Sequence, residues 1–198
     1  MNKYNNTFSA LLVACAATVA AVPQVAAESA LYAVAPPQDA AFVRWLDTPA
    51  SHAAFGIDFA DVDGTEFRFF PATGVDGAEA GATYSMLTGA DGSPVTIREP
   101  GRSDPTKVHI VFVNATDAAA RVVVAGKDAV VIGETAANAA GIRGVNPVKA
   151  TLAVESADGA ELGQVDLTLR RGQDVTIVAR ESGVVLVEDG FGAGPDAN

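Results

Sequence analysis

The sequence predicts an all-β protein made of two small tandem β-sandwich domains joined by a short Pro/Gly linker. Three observations predict it. Helical periodicity is nearly absent after residue 27, and short runs of Val, Ile, Phe and Thr recur, often alternating with polar residues as half-buried strands do. Asp-Gly pairs at Asp63-Gly64, Asp76-Gly77, Asp91-Gly92, Asp158-Gly159 and Asp189-Gly190 punctuate these runs, and Asp-Gly supplies the positive φ angles of tight turns. Glu99-Pro100-Gly101-Arg102-Ser103-Asp104-Pro105 holds two prolines and a glycine in seven residues. Proline removes a ladder donor and glycine weakens a strand, so this segment links rather than pairs.

Residues 1–27 read as a signal peptide. Residues 1–6 are polar with one cation, Lys3, residues 8–22 are almost wholly apolar, and Val25-Ala26-Ala27 offers a cleavage site before Glu28. The apolar run falls short of the roughly 20 residues a membrane span requires. Leu12-Val13-Ala14-Cys15 matches a lipoprotein processing site, which makes lipidation at Cys15 the minor alternative. Cleavage after Ala27 leaves no cysteine, so an exported chain would rest on apolar cores without disulfides.

The N-terminal domain, 28–99, takes its strands from residues 31–34, 41–46, 53–59, 66–70, 83–87 and 95–98. After the linker, 100–105, the C-terminal domain, 106–188, takes them from 108–114, 121–125, 129–132, 148–154, 165–169, 175–178 and 184–187. Close spacing of short strands favours sandwiches, with a single larger sandwich as the structural alternative. The small residues at 136–140 admit a brief helical turn, and 189–198 reads as a flexible tail.

Charge narrows the partners. Of 13 basic and 24 acidic residues, loss of Lys3 leaves 12 against 24, a net charge of −12. Such a chain repels nucleic acids and anionic surfaces. Residues 28–99 hold 3 basic and 11 acidic groups (−8), whereas residues 100–198 hold 9 and 13 (−4), so contact with an anion falls to the second half.

No catalytic or metal site is read from the residues, and no cofactor is expected. The histidines are His52, beside Ser51 in a turn-like segment, and His109, at the start of an apolar alternation that would set it on a solvent face. A G-x-S-x-G elbow is absent, as is a Cys/His cluster for zinc. Asp61-Val62-Asp63-Gly64-Thr65-Glu66 lacks the distal ligands of a calcium loop, and a hairpin turn explains it. Most of the aromatics crowding the first half are expected in a core, with Trp45 and Tyr32 as the candidates for a sugar-stacking platform.

In Gly141 to Val154, Pro147 fixes φ and holds Asn146 out of the helical region, so the chain enters a strand from an extended conformation. Val148, Ala150, Leu152 and Val154 then share one face and Lys149 and Thr151 the other. Arg143 and Lys149 stand on either side of the Asn-Pro pair, mated to a partner carboxylate or to an internal acid.

Several short blocks resemble the AlgF family. Leu31-Tyr32, Pro36-Pro37 and Ala41-Phe42-Val43-Arg44 look like the start of its mature chains. Arg143-x-x-Asn146-Pro147-Val148-Lys149-x-x-Leu152 is similar to its Asn-Pro-Val-Lys block, and Leu169-Arg170-Arg171-Gly172 to its Leu-x-Arg-Gly turn. Pro71 followed by Gly74 matches its Pro-Gly segment, and the blocks keep their order from about residue 30 to 183. Tyr32, Phe42, Arg44, Asn146 and Pro147 are its structural markers here.

The resemblance implies a periplasmic protein of two β-sandwich modules without an obvious catalytic centre, required for O-acetylation of the polyuronate alginate. The implied partners are a membrane O-acetyltransferase, AlgI, and periplasmic hydrolase-like proteins, AlgJ and AlgX. The chain would then be an adaptor, raising the effective concentration of enzymes it holds together. Two other readings stand beside it. One is a carbohydrate-binding module in which Arg143, Lys149, Arg170 and Arg171, or Trp45, engage uronates. The other is an acetyltransferase in its own right, for which the residue inventory is weak.

Overall fold

The run Ala41-Phe42-Val43-Arg44-Trp45-Leu46 carries bulky side chains at consecutive positions, and the strand it forms is covered on both faces. The structure is a computed structural model and describes residues 35–192 apart from 50, 60, 61, 63 and 90. The signal segment with Cys15, the strand expected at 31–34 with Tyr32, Asp61 and Asp63 of the calcium-like loop, and residues 193–198 lie outside the described residues.

The first group of strands is β1 (Ala40–Trp45), β2 (Ala53–Ala54), β3 (Ile57–Asp58), β4 (Arg68–Pro71), β5 (Thr83–Thr88) and β6 (Pro94–Glu99). They make a four-stranded sheet, β4-β1-β5-β6, and a two-stranded ribbon, β2-β3. β1 runs parallel to β5, and the other pairings are antiparallel. Ala41, Val43 and Trp45 share a core with Phe70, Tyr84 and Met86, and Ala54 of the ribbon and Phe59 close it.

The second group is β7 (Val108–Asn114), β8 (Ala120–Val124), β9 (Val130–Thr135), β10 (Ala139–Val145), β11 (Lys149–Ser156), β12 (Glu161–Thr168), β13 (Val175–Arg180) and β14 (Gly183–Glu188). These form a middle sheet, β10-β7-β13-β14, and an outer sheet, β12-β11-β8-β9. Val108, Ile110, Phe112, Val175 and Ile177 of the middle sheet meet Val122, Ile132, Leu152, Val154 and Leu167 of the outer one.

The other face of the middle sheet packs on the first group. Val111, Val113 and Val178 meet Leu46, Leu87 and Ile97. Three sheets are therefore layered, and all the described residues fall in one compact unit. β7, parallel to β13, is buried at every position. A strand buried on both faces reads as a near-continuous apolar run, which accounts for Val108-His109-Ile110-Val111-Phe112-Val113. His109, expected on a solvent face, is 6% exposed because that face lies under the first group.

Two glycines let the sandwich edges close. A Cβ on Gly141 of β10 would stand 2.7 Å from Ile132 Cγ2 of β9, and one on Gly163 of β12 would stand 3.0 Å from Val184 Cγ2 of β14. No helix occurs among the described residues. Residues 136–140, where a helical turn was expected, turn at Asn138 (φ 53°), and Ala139 and Ala140 already belong to β10.

The start of the expected tail is held. Phe67 and Phe191 form an isolated parallel bridge, with Phe67 N donating to the Gly190 carbonyl and Gly192 N to the Phe67 carbonyl. The Asp189 side chain is buried. Gly-rich composition suggested a loose end, but an acid that neutralises buried arginines fixes residues 189–192.

Candidate functional site

The cations divide into those spent on holding the fold and those left at its surface. Arg44 heads the first set. It faces away from Val43 and Trp45, into the space between the first sheet and the middle sheet, and is 0% exposed. Its Nε donates to Ser85 Oγ (2.9 Å), Nη1 to Asp189 Oδ1 (2.7 Å), and Nη2 to Glu99 Oε1 (2.5 Å) and Thr176 Oγ1 (2.7 Å). The guanidinium carbon lies 4.2 Å from the centroid of Phe67, a cation–π contact.

Arg102, from the Pro/Gly segment, donates to Glu99 Oε2 (3.0 Å) and Asp189 Oδ2 (2.5 Å). Burial opposes its charge, but the attraction of Glu99 and Asp189 outweighs this and raises the guanidinium above its ordinary value. Asp174 extends the array, 3.5 Å from Arg102 Nε and 3.2 Å from His109 Nδ1, and it accepts from His109 N at 2.7 Å. Elsewhere Arg98 pairs with Glu79, Arg121 with Glu155, and Arg180 donates to the Leu46 carbonyl.

The second set gathers at one end of the second group. The registers place it. β7 starts beside the end of β10 (Val145↔Val108), β11 starts where β12 ends (Lys149↔Thr168), and Leu169 N donates to the Val148 carbonyl. Val124, Ala125 and Lys127 close the β8–β9 turn at that same end, since Ala125 N donates to the Thr151 carbonyl. Lys107, Lys127, Lys149, Arg170 and Arg171 thus converge there, with Arg143 two residues inside β10. Arg143, Lys127, Lys149, Arg170 and Arg171 are exposed and form no ion pair or side-chain hydrogen bond among the described residues. The internal acid considered for Arg143 and Lys149 is therefore not among those residues.

Three acids at this end are engaged elsewhere. Asp166 accepts from Thr151 Oγ1 (2.6 Å), and Asp174 faces Arg102 and His109. Asp104 accepts from the Thr106 side chain and backbone, which hold its carboxyl below the usual range. Asp128, beside Lys127, and Glu188, at the end of β14 opposite Val175, stay exposed. The opposite end, with Asp117, Asp158 and Glu181 in its turns, is acidic. A cleft of about 320 Å³ opens there between the two groups, lined by Asp47, Leu87, Thr88, Ala115, Arg180, Glu181 and Ser182.

Of the residues singled out in sequence, Arg143, Lys149, Arg170 and Arg171 come to one end, on different sheets and turns. Trp45 does not join them. It is 2% exposed, with its ring 5.2 Å from His52 and 5.3 Å from Phe59, so packing and not sugar stacking occupies it. Phe42 is half-buried, edge-on to Phe191 at 5.5 Å. Asn146 accepts from Lys107 Nζ at 2.8 Å, and Pro147 is exposed. Sequence reasoning missed Lys127, whose place depends on the β8–β11 register, and the acids Glu99 and Asp189. An arginine inside an apolar run, Val43-Arg44-Trp45, was the available signal for a buried charge. No group of three potential metal ligands occurs among the described residues.

The chain matches the family model described as "Alginate O-acetyl transferase AlgF" over residues 14–176. It is 24% identical to the alginate biosynthesis protein AlgF of Pseudomonas syringae pv. tomato, over 90% of this chain and 88% of that one. It is 26% identical to the protein of the same name from Pseudomonas putida, over 89% and 90%. Among solved structures it is similar to the C-terminal domain of AlgF from P. aeruginosa, with 22% identity, a TM-score of 0.35, and coverage of 42% of this chain and 96% of that one.

Proposed function

The chain belongs to the AlgF family, and from that premise we propose that it is a periplasmic, non-catalytic adaptor in the O-acetylation of alginate. It would link acetyl transfer at the membrane, by an AlgI-type protein, to periplasmic partners of the AlgJ and AlgX type. The signal peptide expected at 1–27 supports the location.

The observation that carries the reading is the division of polar groups. Three side chains that could do acyl chemistry are used in packing. His52 lies edge-on against Trp45, His109 is buried against Asp174, and Ser85 Oγ donates to Glu99 within the Arg44 array. The unpaired cations instead stand outward on strand ends held by the layered sheets, the arrangement of a contact surface. A rigid body that positions two enzymes raises their effective concentration without chemistry of its own.

Deletion of the gene in the native host tests the reading. Polymer should still be made but lack O-acetyl groups; normal acetylation, or loss of the polymer itself, would overturn it. The purified protein should not turn over a soluble acetyl ester when its partners are absent. Turnover that disappears in Ser51→Ala would make it a transferase instead.

A further inference from the structure

We propose that the cationic end of the second group is a docking surface for an acidic protein. The inference rests on the adaptor reading and names the kind of partner that this surface fits.

Two properties coincide there. Lys127, Lys149, Arg170 and Arg171 are exposed without an internal acid, in a chain of net charge −11. Val130 and Val148, 54% and 45% exposed, stand at the same end, at the start of β9 and just before β11. Apolar residues among polar, charged ones are the anatomy of a protein interface. A site for a sugar chain would want exposed aromatic platforms, and Trp45 is in the core. Charge complementarity therefore selects an acidic surface, and the exposed valines select a folded protein over a polysaccharide.

The turns are well suited to hold this surface in place. Leu169 N bonds the Val148 carbonyl, Ala125 N the Thr151 carbonyl, and Lys107 Nζ the Asn146 side chain, so the turns are tied to one another and to both sheets. A preorganised surface loses less conformational entropy when it binds. Surface charges of this kind act mainly on the rate of encounter and its salt dependence.

The test places a photo-crosslinking amino acid at Val148 in the full-length protein, expressed in the native host, with a second at exposed Asp91 as a control. Adducts are identified by mass spectrometry. A protein adduct at position 148, absent at 91, is expected, with a partner bearing an acidic surface. Its yield should fall about tenfold in K149E/R170E/R171E while the thermal midpoint stays unchanged. Arg170→Lys should keep it. No adduct at 148, an adduct with a second copy of this chain, or a yield indifferent to charge reversal would overturn the proposal. So would binding of the isolated protein to uronate oligomers that the same triple variant abolishes. If deletion removes O-acetyl groups but the triple variant restores them fully, the docking surface is wrong and the adaptor reading survives. If deletion leaves acetylation intact, the adaptor reading itself fails.

Discussion

Arg44 and Asp189 are 145 positions apart in the chain and 2.7 Å apart in the fold. One lies on the first strand of the first group and the other just beyond the last strand of the second. Both side chains are buried, and Glu99, Arg102 and Thr176 share their hydrogen bonds. The contact joins the beginning and end of the described structure through a buried polar cluster.

Removing Arg44 should therefore be severe. Arg44→Met leaves Glu99 and Asp189 buried with only Arg102 against them, and breaking such an array typically costs about 3–5 kcal/mol. Urea denaturation measures it. Arg44→Met combined with Glu99→Gln should recover much of the loss, since Arg102 and Asp189 then remain as a balanced pair 2.5 Å apart. A double variant less stable than the single would show that the cluster is worth more than its desolvation.

The C-terminal residues should behave unequally. Truncation after Glu188 removes Asp189 and should cost about as much as Arg44→Met. Phe191→Ala removes a ring that is 62% exposed and stacked on Phe67 at 5.3 Å, and should cost only about 0.5–1.5 kcal/mol. Thermal or chemical denaturation of the two variants separates the effects.

Gly141 is required by close approach, since its φ is not in the left-handed region. Gly141→Ala should destabilise by about 1–3 kcal/mol because the new methyl meets Ile132. Adding Ile132→Val should relieve part of that penalty, and a double-mutant cycle reads the coupling. Independent, additive effects would remove close packing as the explanation.

Stability should fall in acid partly through turn aspartates. Hydrogen bonds, chiefly from the Thr73, Thr106 and Ser156 side chains and from the Ser93 backbone, hold the Asp39, Asp104, Asp158 and Asp91 carboxyls below the ordinary aspartate value of 3.8. In the interval below 3.8 the unfolded chain binds more protons than the folded one, so stability is complete above it and declines as pH falls through the lowered folded values. Asn at all four positions should make denaturation midpoints less dependent on pH, as pH falls below about 4, than in the parent chain. These aspartates lie at the surface, so the effect should be modest and reduced by salt.

The sequence by itself determined the all-β class, since alternation and Asp-Gly turns are local properties that strands and hairpins obey directly. It also determined that Pro147 admits Lys149 to a strand with its side chain opposite the core face of Leu152. Arg143, Lys149, Arg170 and Arg171 could be singled out as unusual in an acidic chain. Only the tertiary structure decided which cations were spent. Arg44 and Lys149 both sit beside apolar residues in sequence, but layering places one between two sheets and the other at an open end. The fate of a charge depends on which remote acids the packing brings near it. Asp189 looked like part of a loose tail because its partners Arg44 and Arg102 are more than eighty residues away. His109 looked solvent-facing because alternation along one strand cannot reveal that a third sheet covers its second face.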